Sequence, residues 1–183
     1  MSISPVARTA ALAATAVLTL GLAGPAAAES SSQPDPADAT ASLTDIRKVS
    51  LNHGTEQVIT KVRFTDLQPT SDGGPSGMTV YLDTRPARTG PEFRLDTGLQ
   101  SGTDYQLSRV DGWKSPGEPL SCDHSLKLGW ATDVATLRIA RTCLDNPAKV
   151  RVGVRMVDLY DGSHPITDWL GNPRSFTSWV TKG

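Results

Sequence analysis

The chain has 183 residues, 38% hydrophobic and only 5% aromatic, with 18 Lys and Arg against 19 Asp and Glu for a formal charge of −1. So even a balance argues against a nucleic-acid binder, which shows a concentrated basic face, and against an anionic-lipid anchor, which needs clustered Lys and Arg. Two cysteines exclude a disulfide-dense scaffold, so the domain must build an apolar core of its own.

Residues 1–28 read as a secretory signal peptide. Arg8 precedes an apolar and small-residue run from Ala10 to Leu22, then Gly24-Pro25 and the small-x-small site Ala26-Ala27-Ala28. The run is shorter than the roughly 20 residues a membrane span needs, so an exported chain without stable membrane insertion is expected. No lipobox cysteine follows, and Trp179–Gly183 carries no LPxTG-type motif, so neither lipid nor wall-sorting attachment is expected. Arg8 is the only charge removed, which leaves 155 residues with 17 Lys and Arg against 19 Asp and Glu. That length suits one domain, read as a monomer over residues 43–183, preceded by a linker at 29–42. The linker stretch ESSSQPDPADAT has no aromatic or β-branched apolar residue and reads as a disordered, mobile tether.

From about Leu43 onward, short runs rich in Val, Ile, Thr, Tyr and Phe alternate with Gly, Pro, Asp, Asn and Ser clusters, the pattern of an antiparallel β domain. Strands are predicted at 45–52, 56–67, 79–84, 92–99, 104–110, 121–130, 134–142, 149–158 and 175–180. The run at 149–158 is the clearest: Val150, Val152, Val154 and Met156 alternate with Arg151, Gly153 and Arg155. His53-Gly54-Thr55 is a hairpin connection, 69–77 a long loop, Asp133 a tight turn, and Asp145-Asn146-Pro147 a turn after a helical turn. No window carries a sustained helical stripe. About nine short strands predict an all-β fold, a single antiparallel two-sheet β-sandwich.

In an oxidising compartment, Cys122 and Cys143 form the simplest possible pair, one structural disulfide. A reactive thiol pair would instead favour C-x-x-C spacing, which is absent. The three histidines, His53, His124 and His164, match no zinc spacing, and no G-x-S-x-G elbow accompanies them. His53 and His164 read as solvated loop residues. The residues therefore point to a non-enzyme with no cofactor. Calcium would need six to eight oxygens, and Asp158-Leu159-Tyr160-Asp161-Gly162 and Asp83-Thr84 are only weak approaches to such a loop.

The tryptophans carry more information. Trp113 lies in the loop 111–117 and Trp169 follows Asp168 in another, so each can present an apolar plate to a sugar ring or a partner side chain. Trp130 and Trp179, at predicted strand ends, are assigned to the core. The bland alternative for the loop pair is that both cap open core edges. Tyr81, Tyr105 and Tyr160 are the rings that could join them, with Asp111, Asp168 and Arg174 as hydrogen-bonding neighbours.

The order Asp45-Ile46-Arg47-Lys48-Val49, Val62-Arg63-Phe64-Thr65-Asp66-Leu67, then Val80-Tyr81-Leu82-Asp83-Thr84 and Gly90-Pro91-Glu92-Phe93-Arg94-Leu95 resembles uncharacterised secreted actinobacterial β-sandwich proteins. It is distantly similar to family-nine carbohydrate-binding modules and to DOMON-like domains, over most of 43–180. The family-nine resemblance implies sugars clamped between tryptophans and a structural calcium. A haem-binding DOMON domain would use an axial Met and His, whereas Met156 alternates with the core residues of its strand. The resulting expectation is a secreted, non-catalytic module binding extracellular carbohydrate through Trp113 and Trp169. The alternatives are an extracellular or cell-envelope protein–protein interaction module and, third, a hydrolase.

Overall fold

The computed structural model describes Met1, residues 29–160 and residues 164–183. The signal-peptide reading of residues 2–28, and the Asp161-Gly162 part of the calcium-loop reading, lie outside the described residues.

Among the described residues, eleven strands build the domain: β1 Glu29–Pro34, β2 Ile46–His53, β3 Gln57–Phe64, β4 Ser76–Asp83, β5 Phe93–Gly98, β6 Tyr105–Arg109, β7 His124–Gly129, β8 Val134–Ala140, β9 Lys149–Asp158, β10 Ile166–Trp169 and β11 Val180–Thr181. One sheet has the order β1-β2-β3-β8-β7. The other has the order β10-β9-β4-β5-β6, with β11 also on β9. Every pairing is antiparallel.

Period-two alternation explains the two layers. Val49 and Leu51 on β2, Val58, Val62 and Phe64 on β3, and Leu137 and Ile139 on β8 point inward. They join one apolar cluster with Val80 and Leu82 on β4, Phe93 and Leu95 on β5, and Val150, Val152, Val154 and Met156 on β9. Each such side chain stabilises the fold by roughly 1.5–3 kcal/mol on full burial. The expected all-β, two-sheet antiparallel sandwich is what the chain forms, and Cys122 and Cys143 are bonded across Cα atoms 5.8 Å apart. That bond ties the entry of β7 to the 3-10 turn Arg141–Leu144 that follows β8. Asp133 (φ 55°) and Asp145 (φ 62°) close their turns in the left-handed region, which short polar side chains tolerate.

Several expectations change, among them the loop position of Trp169, which is the last residue of β10. Residues 29–34 are strand, not tether: β1 runs in register against β2 from Glu29 opposite His53 to Pro34 opposite Lys48. Low hydrophobicity does not prevent this, because the pairing uses main-chain groups and covers an otherwise open sheet edge. Beyond it, Asp35, Ala39 and Ser42 are buried, so the rest of the predicted linker is also docked. The strand predicted at 175–180 survives only as β11, and β10 precedes it. Between them the chain bulges off β9, returning the Leu170 and Thr177 N–H groups to the Val154 and Val152 carbonyls.

Trp130 opens a 3-10 turn and is 36% exposed rather than core. His53 is fully buried rather than solvated. It sits on the last, inward-facing position of β2, where its Nδ1 donates to the Val180 carbonyl at 3.2 Å and its Nε2 accepts from Arg141 at 3.1 Å.

Candidate functional site

The same alternation that fills the core sets the outer face of the second sheet. With Val80 and Leu82 inward, β4 turns Thr79, Tyr81 and Asp83 to the outer side, where Tyr81 and Asp83 are nevertheless buried, and β5 presents Arg94 and Asp96. On β9 the outward residues are Arg151, Gly153 and Arg155, and Trp169 of β10 stands opposite Arg155.

Two irregular segments complete this face. The 111–117 loop turns at Gly112 (φ 64°) and bonds the Gly112 N–H to the Pro91 carbonyl. A Cβ on Gly90 would come within 2.9 Å of the Gly112 Cα, so the two turns fit only as glycines. The bulge between β10 and β11 crosses Gly153, where an added Cβ would meet the Ser175 carbonyl oxygen at 2.6 Å. These approaches bring Trp113 and Phe176 over the sheet. Tyr81 lies 4.8 Å from Trp113 edge-on and 5.8 Å from Trp169 in a stack, while Trp113 and Trp169 are 5.9 Å apart. Phe176 closes the group at 5.3 Å from Trp113. Guanidinium groups border the rings: Arg94 over Tyr81, Arg155 over Trp169 and Arg174 over Trp113, each within 6 Å of a ring centroid.

The predicted site residues divide between two places. Trp113 and Trp169 meet on one partly exposed face, and Arg174 joins them. Asp111 lies in the same loop but is held by Arg88 at 3.0 Å and Lys114 at 2.5 Å, the Lys114 hydrogen bond lowering its pKa. Asp168 departs from the expectation. Successive strand residues face opposite ways, so it turns inward as Trp169 turns out, is 3% exposed, and accepts the Ile46 N–H at 2.7 Å.

Of the three tyrosines, only Tyr81 joins the rings. Tyr105 packs edge-on against His124 at 5.7 Å, and Tyr160 lies in an end loop. The sequence reading did not single out Thr79, Arg94, Asp96, Arg155 and Phe176 for the site. The alternation within β4, β5 and β9 carries the signal for the first four. Beside the rings, Gly77, Thr79, Asp96, Gly98, Asp104 and Arg155 line a shallow depression. Asp96 is fixed there by the Thr79 hydroxyl at 2.7 Å and by Arg94 Nε at 2.6 Å.

Asp168 belongs instead to a carboxylate group with Asp35 and Asp38, whose ligand-capable oxygens lie within 4.8 Å of one another. Asp35 accepts the Gly171 N–H at 2.6 Å through Oδ1, while its buried Oδ2 has no partner. Burial, with the neighbouring carboxylates adding to it, raises Asp35 to about 6 and Asp168 to about 7. Hard oxygen donors gathered this closely, one of them unsatisfied, could hold part of the oxygen shell of a divalent cation such as calcium. These three residues would hold it, and it would tie the end of β1 to β10.

A separate cleft at one end of the sandwich is lined by residues including Leu43, Asp66, Gln100, Asp158 and Tyr160. His53 and His124 bond backbone carbonyls rather than carboxylates, and burial lowers the pKa of His53. No protein-family model, curated protein or solved structure matches the chain, so its chemistry is read from this geometry alone.

Proposed function

We propose that the protein is an exported, non-catalytic module that binds carbohydrate on the outer face of the second sheet. One observation carries this reading: Trp113 and Trp169, distant in sequence, meet 5.9 Å apart on one face beside Tyr81. Indole faces accept the apolar faces of sugar rings, and polar groups beside them fix orientation. Arg155 supplies one next to Trp169, with Thr79 and Asp96 following across the ladder, and Arg174 supplies one next to Trp113. Export rests on the signal-peptide pattern of residues 1–28 and agrees with a single disulfide.

Intrinsic tryptophan fluorescence against a panel of soluble glycans tests the reading. A saturable shift is expected that Trp113→Ala and Trp169→Ala each weaken at least about tenfold, in line with a well-packed aromatic contact. No saturable response to any glycan from a folded protein refutes it. The second reading, a protein–protein module, draws on Leu43 (56% exposed), Leu159 (41%) and Tyr160 (57%) around the end cleft. In that case Tyr160→Ala, rather than the tryptophan variants, would abolish partner capture.

A further inference from the structure

The near-neutral composition conceals a strongly polarised surface on the first sheet. Because Val49, Leu51, Val58, Val62, Leu137 and Ile139 point to the core, their strand neighbours point out. The outward cations are Lys48 on β2, Lys61 and Arg63 on β3, Arg138 on β8 and Lys127 on β7, and all five are exposed.

Strand register gathers them. Lys48 stands opposite Arg63, Thr136 lies between Lys61 and Lys127, and Arg138 stands between Ile59 and Ser125. Neighbouring strands are about 4.8 Å apart and alternate residues about 7 Å, so the five charges occupy a patch roughly 15 Å on a side. β2, β3, β7 and β8 contain no Asp or Glu; Glu29, exposed at the start of β1, is bonded to Thr181, and Glu56, Asp123 and Asp133 sit in the bounding turns. Among the described residues none of the five is in a salt bridge, and Arg63 donates only to the Thr132 carbonyl at 3.1 Å. The second sheet is the reverse: Arg94 pairs with Asp96 and Arg151 with Asp83. Like charges directly opposite on a ladder destabilise it, so the first sheet folds against its own repulsion with no internal counter-charge.

We propose that this face binds an acidic polysaccharide, a polymer of sugar units bearing carboxylate or sulfate groups. The charge selects an anion and the spread selects a polymer that spans several cations. Ser30, Ser32, Ser50, Asn52 and Thr136 lie between and beside the cations, offering hydroxyl and amide groups suited to sugar hydroxyls. A nucleic acid fits less well. Apart from Trp130 in a bordering turn, the face has no ring on which bases stack, and a five-stranded sheet presents no helix to enter a groove. The inference is independent of the aromatic site, which lies on the other sheet.

The test measures binding of the protein to polygalacturonate, dextran sulfate, neutral dextran and a DNA duplex between 50 and 200 mM salt. Binding to at least one acidic polysaccharide is expected, with none to neutral dextran, and its affinity should fall steeply with salt as counterions are released. Lys61→Glu with Arg138→Glu should weaken it at least about tenfold and lower the salt slope by about two, one per lost contact. Both positions are exposed, so an unchanged melting temperature separates lost binding from lost folding. Trp113→Ala should leave this binding intact while weakening any response to neutral glycans at least about tenfold. Three results overturn the proposal: no binding at 50 mM salt, binding undiminished in the double variant, or DNA bound more tightly than either polysaccharide.

Discussion

The buried carboxylates give the fold a pH dependence opposite in sign to ordinary acid unfolding. Asp35 and Asp168 are raised from 3.8 to about 6 and about 7 in the folded chain. A group raised on folding holds its proton more tightly when native. Its stabilising contribution is therefore complete below the unfolded value near 3.8 and is lost as pH rises through 6 to 7. One pKa unit is about 1.4 kcal/mol, so the two shifts taken singly amount to about 3 and about 4 kcal/mol. The Asp168 shift already includes the charge of Asp35, so the two are not summed and the larger, about 4 kcal/mol, stands for the pair. For a domain of this size that is roughly 10 °C in melting temperature between pH 4.5 and 7.5.

His53 works the other way, because burial lowers its pKa and its contribution is lost as pH falls below 6.5. The comparison with Asp168→Asn isolates the carboxylates. That variant keeps an acceptor for the Ile46 N–H but removes the charge. Thermal unfolding in EDTA should show it more stable than the parent by about 3 kcal/mol at pH 7.5 and nearly equal at pH 4.5. Calcium should restore the parent at pH 7.5 by about 2.7 kcal/mol at a hundredfold excess over its dissociation constant, and leave Asp168→Asn unmoved. Equal melting temperatures for parent and variant at both pH values, with no response to calcium, would refute the reasoning.

Two further outcomes follow from the architecture. Cys122→Ser with Cys143→Ser opens a loop of sequence separation 21 and should cost about 3 kcal/mol in denaturant unfolding, with the glycan site unchanged in the folded fraction. A loss of glycan response without a loss of stability would contradict that separation of roles. Gly153→Ala places a methyl 2.6 Å from the Ser175 carbonyl oxygen, so the 171–179 bulge must shift, at about 1–3 kcal/mol. Because that bulge carries Phe176 against Trp113, the variant should also red-shift the tryptophan emission. An unchanged spectrum would show that the bulge does not hold the aromatic face together.

The strand pattern was the most legible part of the chain. Val150 to Met156 alternate so regularly that β9 could be read to its ends, and the cysteine pair could be matched without the fold. The loop composition around Trp113 also marked it as a residue outside the regular core. The turns at Asp133 and Asp145 were equally visible, since only short polar residues or glycine accept those backbone angles. β1 was not legible, because a strand of Ser, Gln and Pro is held by main-chain bonds to β2 that composition does not record.

Alternation fixes which residues of one strand share a face, and that much the sequence determined alone. Which strands lie side by side, and in what register, depends on contacts between segments far apart in the chain, and only the tertiary structure decided it. That ordering placed Trp169 beside Trp113, turned Asp168 inward to Asp35, and assembled Lys48, Lys61, Arg63, Lys127 and Arg138 from four separate strands into one basic face.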